Sequence, residues 1–183
     1  MFYNQERIAV FIDGYNLSST ANALNMAIDY GKLRDEFVRR GRLVRLTYFL
    51  SIIHSGDDYA PARPLADWLS YNGYVVRMRT IRDYGEKDAD QLRRKARSGM
   101  SVDFTIEALE IGRRVDHVVL FSGDGDYVEL VHALQRKGVR VSIVSSVNSN
   151  GFKVSDELRR QADNFIDLKD LKQVIQRDER VTT

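Results

Sequence analysis

The sequence predicts an α/β domain in three layers, with a mainly parallel central sheet of about five to six strands. Three observations point there. Short apolar runs recur along the chain, each the length of one strand buried on both faces. Stretches with helical spacing fill the gaps between them. No repeat or Pro/Gly-rich linker divides the 183 residues, so a single core is expected.

The first strand is "RIAVFID" (7–13), an apolar run that ends in an aspartate. "RLVRLTYFLSI" (42–52), "YVVRMRTI" (74–81), "DHVVLFS" (116–122) and "VRVSIVS" (139–145) follow the same pattern, and "NFIDL" (164–168) makes a shorter sixth. Between them, Leu33, Phe37 and Val38 space one helix, and Leu65, Trp68 and Leu69 a second. Phe104, Ile106, Ala108, Leu109 and Ile111 space a third. Val128, Leu130, Val131 and Leu134 form a fourth, closed by Gly138, and Val154, Leu158 and Ala162 a fifth. The polar stretch "RDYGEKDADQLRRKARSG" (82–99) interrupts this alternation and reads as a long loop. The domain is expected over 1–168, with 169–183 a charged C-terminal helix or tail whose end, "IQRDERVTT", frays.

Composition narrows the chemistry. Apolar content of 43% and charged content of 30% fit a globular chain rather than a disordered one. The absence of cysteine excludes disulfides and thiolate zinc sites, and three scattered histidines do not make a histidine-rich metal site. No signal-peptide pattern opens the chain and no apolar run approaches a membrane span of ~20 residues, so a cytoplasmic location without membrane contact is expected. With a net charge of only +2, attraction to nucleic acid would have to come from local clustering.

Two strands end in acids. The first delivers Asp13 in "FIDGYN", with Asn16 one turn further on. The fourth delivers Ser122, Asp124 and Asp126 in "LFSGDGDYVEL". Ligands of parallel α/β sheets gather at the carboxyl ends of strands, so these side chains converge if the two strands are neighbours. Asp103 and Glu107 are four residues apart on the preceding helix, share a face, and can point at the same place. Two carboxylates about 5 Å apart repel by roughly 3 kcal/mol at an effective dielectric near 20, which calls for screening water or a cation. Hard oxygen donors suit Mg²⁺ or Mn²⁺, which can activate water and stabilise charge on a phosphoryl group. The plainer alternative makes Asp124 or Asp126, taken singly, a helix cap or turn former, whereas Asp13, an acid at the end of a buried strand, needs a partner. A dinucleotide fingerprint and a phosphate-binding P-loop are both missing, and Tyr15 stands where an aspartate-nucleophile phosphatase would carry its second acid.

"LRRKAR" (92–97) gathers Arg93, Arg94, Lys95 and Arg97, while Arg77 and Arg79 share one face of the third strand. A basic strip beside an acidic metal site suits a phosphodiester backbone; the alternative is a solvated surface. Tyr15 and Tyr127 follow the acids closely and either stack on an unpaired base or pack in the core or rim.

"VFIDGYNL", "VVLFSGDGDYVELV", "LQRKGVRVSIVS" and "ELRRQADNFIDL" together resemble the NYN domain family, in its bacterial LabA-like branch, from about residue 7 to 168. That resemblance implies a PIN-like fold and a Mg²⁺/Mn²⁺-dependent ribonuclease acting on single-stranded RNA. It implies that Asp13, Asn16, Ser122, Asp124 and Asp126 line the metal site. One position departs from the family pattern: Ser101 stands at the first aspartate of the stretch before the fourth strand, and Glu107 at the second. Arg97 or Lys95 stands near the family's lysine position. Ser101 reads instead as an N-cap, leaving Asp103 or Glu107 to supply the missing carboxylate. The assignment expected from these residues is catalysis by Asp13, Asn16, Asp124, Asp126, Glu107, Asp103 and Ser122, with metal on Asp13, Asp124, Asp126 and Glu107. The alternative is a catalytically weak domain that binds RNA or a protein partner in regulation. Assembly is left open between monomer and homodimer.

Overall fold

A computed structural model describes residues 2–54, 62–82, 89–148 and 153–178; for 53–54, 81–82 and 89–98 it describes the backbone alone. Among these residues six strands form one sheet: β1 (Arg7–Asp13), β2 (Arg42–His54), β3 (Val75–Arg82), β4 (His117–Phe121), β5 (Arg140–Ser145) and β6 (Asn164–Asp167). Every pairing is parallel, in the order β3-β2-β1-β4-β5-β6. The central strands are apolar on both faces because both faces are covered: Ile8, Ala9, Val10, Phe11 and Ile12 are all fully buried.

Among the described residues seven α-helices connect and cover the strands: α1 (Gly14–Ala23), α2 (Tyr30–Arg40), α3 (Arg63–Tyr71), α4 (Ala89–Gly112), α5 (Val128–Gln135), α6 (Asp156–Gln161) and α7 (Lys172–Ile175). Two apolar cores result. Ile8, Val10 and Ile12 pack with Leu17, Leu33, Phe37 and Leu69 on one face of the sheet. Ala9 and Phe11 pack with Phe104, Ala108, Leu130, Leu134 and Leu158 on the other. α1 to α3 therefore cover one face and α4 to α6 the other. The chain order reverses between β1 and β4, so the connections leaving these two strands run to opposite faces. That geometry opens a crevice at their carboxyl ends.

Three expectations need correction. The polar stretch is not one long loop: α4 begins at Ala89, so "LRRKAR" lies on a helix. Leu, Arg, Lys and Ala are all good helix formers, whereas apolar spacing is nearly absent there. Ser101 is consequently mid-helix and no N-cap. The segment after 168 is anchored as far as 178. Leu171 and Ile175 are buried, Asp29 N donates to Ile175 O at 2.8 Å, and Arg177 N donates to Ala27 O at 2.8 Å. Residues 179–183 of the expected frayed tail lie outside the described residues.

Candidate active site at the β1/β4 crevice

The two acid-bearing strands end the same way. β1 runs into α1 with Asp13 as N-cap, its Oδ1 accepting from Asn16 N at 3.1 Å. β4 runs through Ser122 and Gly123 into a 3-10 turn (Gly125–Tyr127), with Asp124 as N-cap and its Oδ1 accepting from Asp126 N at 3.1 Å. Asp124 is thus the turn former that the plainer reading of the sequence offered, Asp13 proves to be a cap as well, and one oxygen of each is committed to that role. Both also line one narrow cleft, together with Tyr15, Phe49, Ser51, Met100, Ser101 and Tyr127. Structural and site-facing roles coincide in the same carboxylates.

Neutral groups tie the two turns together. Asn16 Oδ1 accepts from Gly123 N at 3.0 Å, joining the start of α1 to the end of β4. The hydroxyl of Ser122, 1% exposed, donates to Asp13 Oδ2 at 3.5 Å and accepts from Asp124 N at 3.2 Å. Ser122 is therefore buried against the acids and positions them, while the half-buried Asn16 ties one turn to the other. The close approach is possible because two glycines lack a Cβ. On Gly14 a Cβ would sit 2.5 Å from Tyr48 Cε1 and 2.7 Å from the carbonyl oxygen of Phe49. On Gly123 it would sit 2.6 Å from Ser145 Oγ and 3.0 Å from Val154 Cα.

The structure brings Asp13, Asn16, Ser122 and Asp124 together and leaves the other sequence candidates elsewhere. Asp126 is exposed within the turn and contributes its backbone N–H to Asp124. Asp103 and Glu107 do not reach the cleft. Successive residues of a helix are about 100° apart, so these two lie roughly 200° and 240° around α4 from Ser101. The Ser101 face also carries Phe104 and Ala108, which are buried against the sheet and fix the rotation. Asp103 pairs with Arg79 at 3.0 Å, and Glu107 pairs with Arg77 while accepting from Thr47 Oγ1 at 3.1 Å. Arg77 and Arg79 are accordingly ion-paired as well as basic. Arg77, Asp103 and Glu107 line a wider groove between β3 and α4, which Met100 shares with the cleft. The side chains of Arg93, Arg94, Lys95 and Arg97 lie outside the described residues.

The tyrosines separate. Tyr15 is 44% exposed and lies at the rim of the cleft. Tyr127, 2% exposed, packs against Phe104 with ring centroids 4.6 Å apart, so its ring is core and is not a base-stacking platform. Its hydroxyl reaches the cleft and donates to Ser101 Oγ at 3.4 Å. Burial, and then the negative charge of Asp13, push the Tyr127 phenol well above its ordinary value, so it stays a neutral donor. Sequence reasoning gave Ser101 a capping role and missed this pair. The signal was the 101/104/108 spacing, which places Ser101 on the buried face of the helix.

Among the described residues no three acids or histidines gather as a metal cluster. The donor set that does face the cleft is two carboxylates with hydroxyls around them, all hard oxygen. Mg²⁺ is commonly held through one or two protein carboxylates, with water and phosphate completing its shell. In type and number these residues fit such an ion. No described helix is long and apolar enough to cross a membrane.

Comparison with known proteins agrees with this architecture. The chain is 27% identical over 182 residues to the low amplitude and bright protein LabA of Synechococcus elongatus, covering 98% of this chain and 93% of that one. A crystal structure of a protein of unknown function from Vibrio parahaemolyticus, VPA0982, superposes with a TM-score of 0.70 at 25% identity, covering 92% of this chain and 96% of the other. The match to the NYN domain runs over residues 7–169, from the first strand to the turn after the sixth, and on it the chain belongs to the NYN domain family.

Proposed function

We propose that this protein hydrolyses phosphodiester bonds of single-stranded RNA with the help of Mg²⁺ or Mn²⁺. The observation that carries the reading is the meeting of Asp13 and Asp124 in one cleft at the β1/β4 crevice, joined by Ser122. Membership of a PIN-like family whose members are typically nucleases supports the reaction class. Asp13 and Asp124 would hold the ion, which when bound supplies a Lewis acid for the phosphoryl oxygens and lowers the pKa of a bound water. Ser122 and Asn16 keep the two carboxylates in place. The neutral Ser101–Tyr127 pair offers hydroxyl hydrogen bonds to a phosphate oxygen at the cleft wall. Tyr15 stacks on an unpaired base at the rim. Arg93, Arg94, Lys95 and Arg97 on α4, with Arg77 and Arg79 on β3, attract the backbone. The setting is cytoplasmic.

A labelled single-stranded RNA incubated with protein and Mn²⁺, with and without EDTA, tests this. Cleavage that EDTA stops, and that Asp13→Asn and Asp124→Asn each remove, is the expected result. A second reading keeps the fold and drops the turnover: an RNA-binding regulatory domain with weak catalysis. Ser101 in the cleft wall, where a carboxylate would strengthen a metal site, is what favours it. Tight RNA binding without metal-dependent cleavage would select that reading.

A further inference from the structure

A second recess opens among α2, α3 and the C-terminal segment. It has a volume of about 410 Å³ and is lined by Asp29, Tyr30, Pro64, Leu65, Trp68 and Arg177. It shares no lining residue with the cleft. Small-molecule pockets run from about 300 to 1,000 Å³, so the recess is large enough for one small ligand. Packing fixes its walls. The Tyr30 ring meets Tyr48 and Tyr74 edge-on, with centroids 5.6 and 6.3 Å away, and Tyr30 O accepts from the Tyr74 hydroxyl at 2.7 Å. Ala66 and Leu69 are the buried residues of α3, which leaves Trp68 43% exposed. Its indole lies near the start of α2, where a Cβ on Gly31 would sit 3.9 Å from Trp68 Cη2.

The polar groups of the recess have bonding capacity to offer. Asp29 uses Oδ1 to cap α2, accepting from Lys32 N at 3.0 Å, and its Oδ2 takes no hydrogen bond among the described residues. Arg177 is anchored by its backbone N–H on Ala27 O, while its exposed guanidinium has no ion pair among the described residues. No side chain caps the N-terminus of α3, which carries Pro64 and Leu65 into the wall. An indole, one acceptor and a cation beside a helix N-terminus match a base, an amino group and a phosphate. We propose that this recess binds a free mononucleotide whose base carries an exocyclic amino group. The base stacks on Trp68, the amino group donates to Asp29 Oδ2, and the phosphate meets Arg177 and the start of α3. Nearby cations alternate with acids, Lys32 pairing with Asp178 and Arg34 with Asp35. Such a rim suits a ligand of one or two charges and not the continuous backbone of a polyanion. The inference stands apart from the metal-dependent reading of the cleft.

Trp68 is the one tryptophan of the chain, so its fluorescence reports the site. The test titrates AMP into the full chain in EDTA, so that no metal in the cleft takes part, with correction for nucleotide absorbance. Saturable quenching at submillimolar AMP is the expected result. Adenosine, which lacks the phosphate, and inosine monophosphate, which has an oxygen in place of the amino group, should each bind about tenfold more weakly. Arg177→Gln should weaken AMP about tenfold and leave adenosine unchanged. Asp29→Asn still caps α2 and should bring AMP and inosine monophosphate to similar affinity. Trp68→Leu, followed by calorimetry, should weaken AMP about tenfold or more. No saturable quenching at millimolar AMP would overturn the proposal. Equal binding of AMP and adenosine by wild type, or an AMP affinity that survives Arg177→Gln or Trp68→Leu, would overturn it as well. An adenylate hexamer that quenches Trp68 at far lower concentration than AMP would assign the recess to a nucleic-acid chain and remove the free mononucleotide.

Discussion

The two ends of the same pair of strands handle charge in opposite ways. At the amino end of β1 and β4, Arg7 and Asp116 close on each other. Arg7 Nη2 and Nε donate to the carboxylate at 2.8 and 3.1 Å, and Arg7 N donates to Asp116 Oδ2 at 2.8 Å. Asp116 N returns a bond to Arg7 O at 2.9 Å. Beside them Glu6 takes hydrogen bonds from Arg140 and His117, and His117 Nε2 meets Ser142 Oγ at 2.8 Å. At the carboxyl end, Asp13 and Asp124 each give one oxygen to a backbone cap and face a cleft. The amino end commits its acids to ion pairs and hydrogen bonds across the strands; the carboxyl end uses its acids as caps and lines a cleft with them. Strand polarity explains the asymmetry. Helix N-termini lie at the carboxyl edge of a parallel sheet, where N–H groups favour aspartate caps and gather the carboxylates.

Substitutions at the two ends should separate function from stability. The largest effect expected is on cleavage. On the reading proposed above, Asp13→Asn or Asp124→Asn should lower RNA hydrolysis by about 100-fold or more, since each would remove a charge that holds the metal. Asn caps nearly as well as Asp, so denaturant midpoints should barely move. Asp116→Asn at the other end should do the reverse, leaving cleavage unchanged. Its pair with Arg7 is partly exposed, so the stability lost should not exceed about 1 kcal/mol. A loss of cleavage in Asp116→Asn would break the comparison.

Gly14→Ala comes next and should cost about 1–3 kcal/mol in urea unfolding, because the new methyl meets the Tyr48 ring and the backbone of Phe49 at once. Asn16→Ala should cost about 1 kcal/mol by removing the acceptor of Gly123 N. It should also lower cleavage, because the two turns are no longer tied. Unchanged cleavage would make Asn16 purely structural.

The smallest effect is a pH dependence that belongs to the amino end alone. Burial, and then Arg140, lower the pKa of His117, against the opposing pull of Glu6. The folded protein therefore holds the imidazole neutral where the unfolded chain takes up a proton, near its ordinary value of about 6.5. Between that value and the depressed one, the unfolded state binds more protons, so stability falls as pH falls. Arg7 holds Asp116 at about 2, so its contribution disappears in a separate window, from the ordinary carboxylate range downwards. Melting temperature followed from pH 7.5 to 5 should decline in wild type and flatten in His117→Gln. A slope that survives that substitution would assign it to another group.

Much of this was legible in the chain. Six apolar runs became six strands with ends shifted by a residue or two, because strands buried on both faces must be continuously apolar. Asp13 and Asp124 stood out because an acid ending a buried strand needs a reason. α1 left little trace in the sequence, since "GYNLSSTANA" combines weak helix formers with a short apolar face. The N-terminal half of α4 was masked by its charge.

What the sequence determined by itself was the set of elements and the two acids at strand ends, both of which depend on local pattern. What only tertiary structure decided was which strands are neighbours and how α4 is rotated. The order β3-β2-β1-β4-β5-β6 puts Asp13 beside Ser122, a contact spanning 109 residues that no local pattern encodes. The helix rotation turns Asp103 and Glu107 towards arginines and Ser101 towards the cleft. Sequence spacing shows that two residues share a helix face. Which way that face points is set by the burial of Phe104 and Ala108 against the sheet, where apolar packing outweighs the placement of exposed charges.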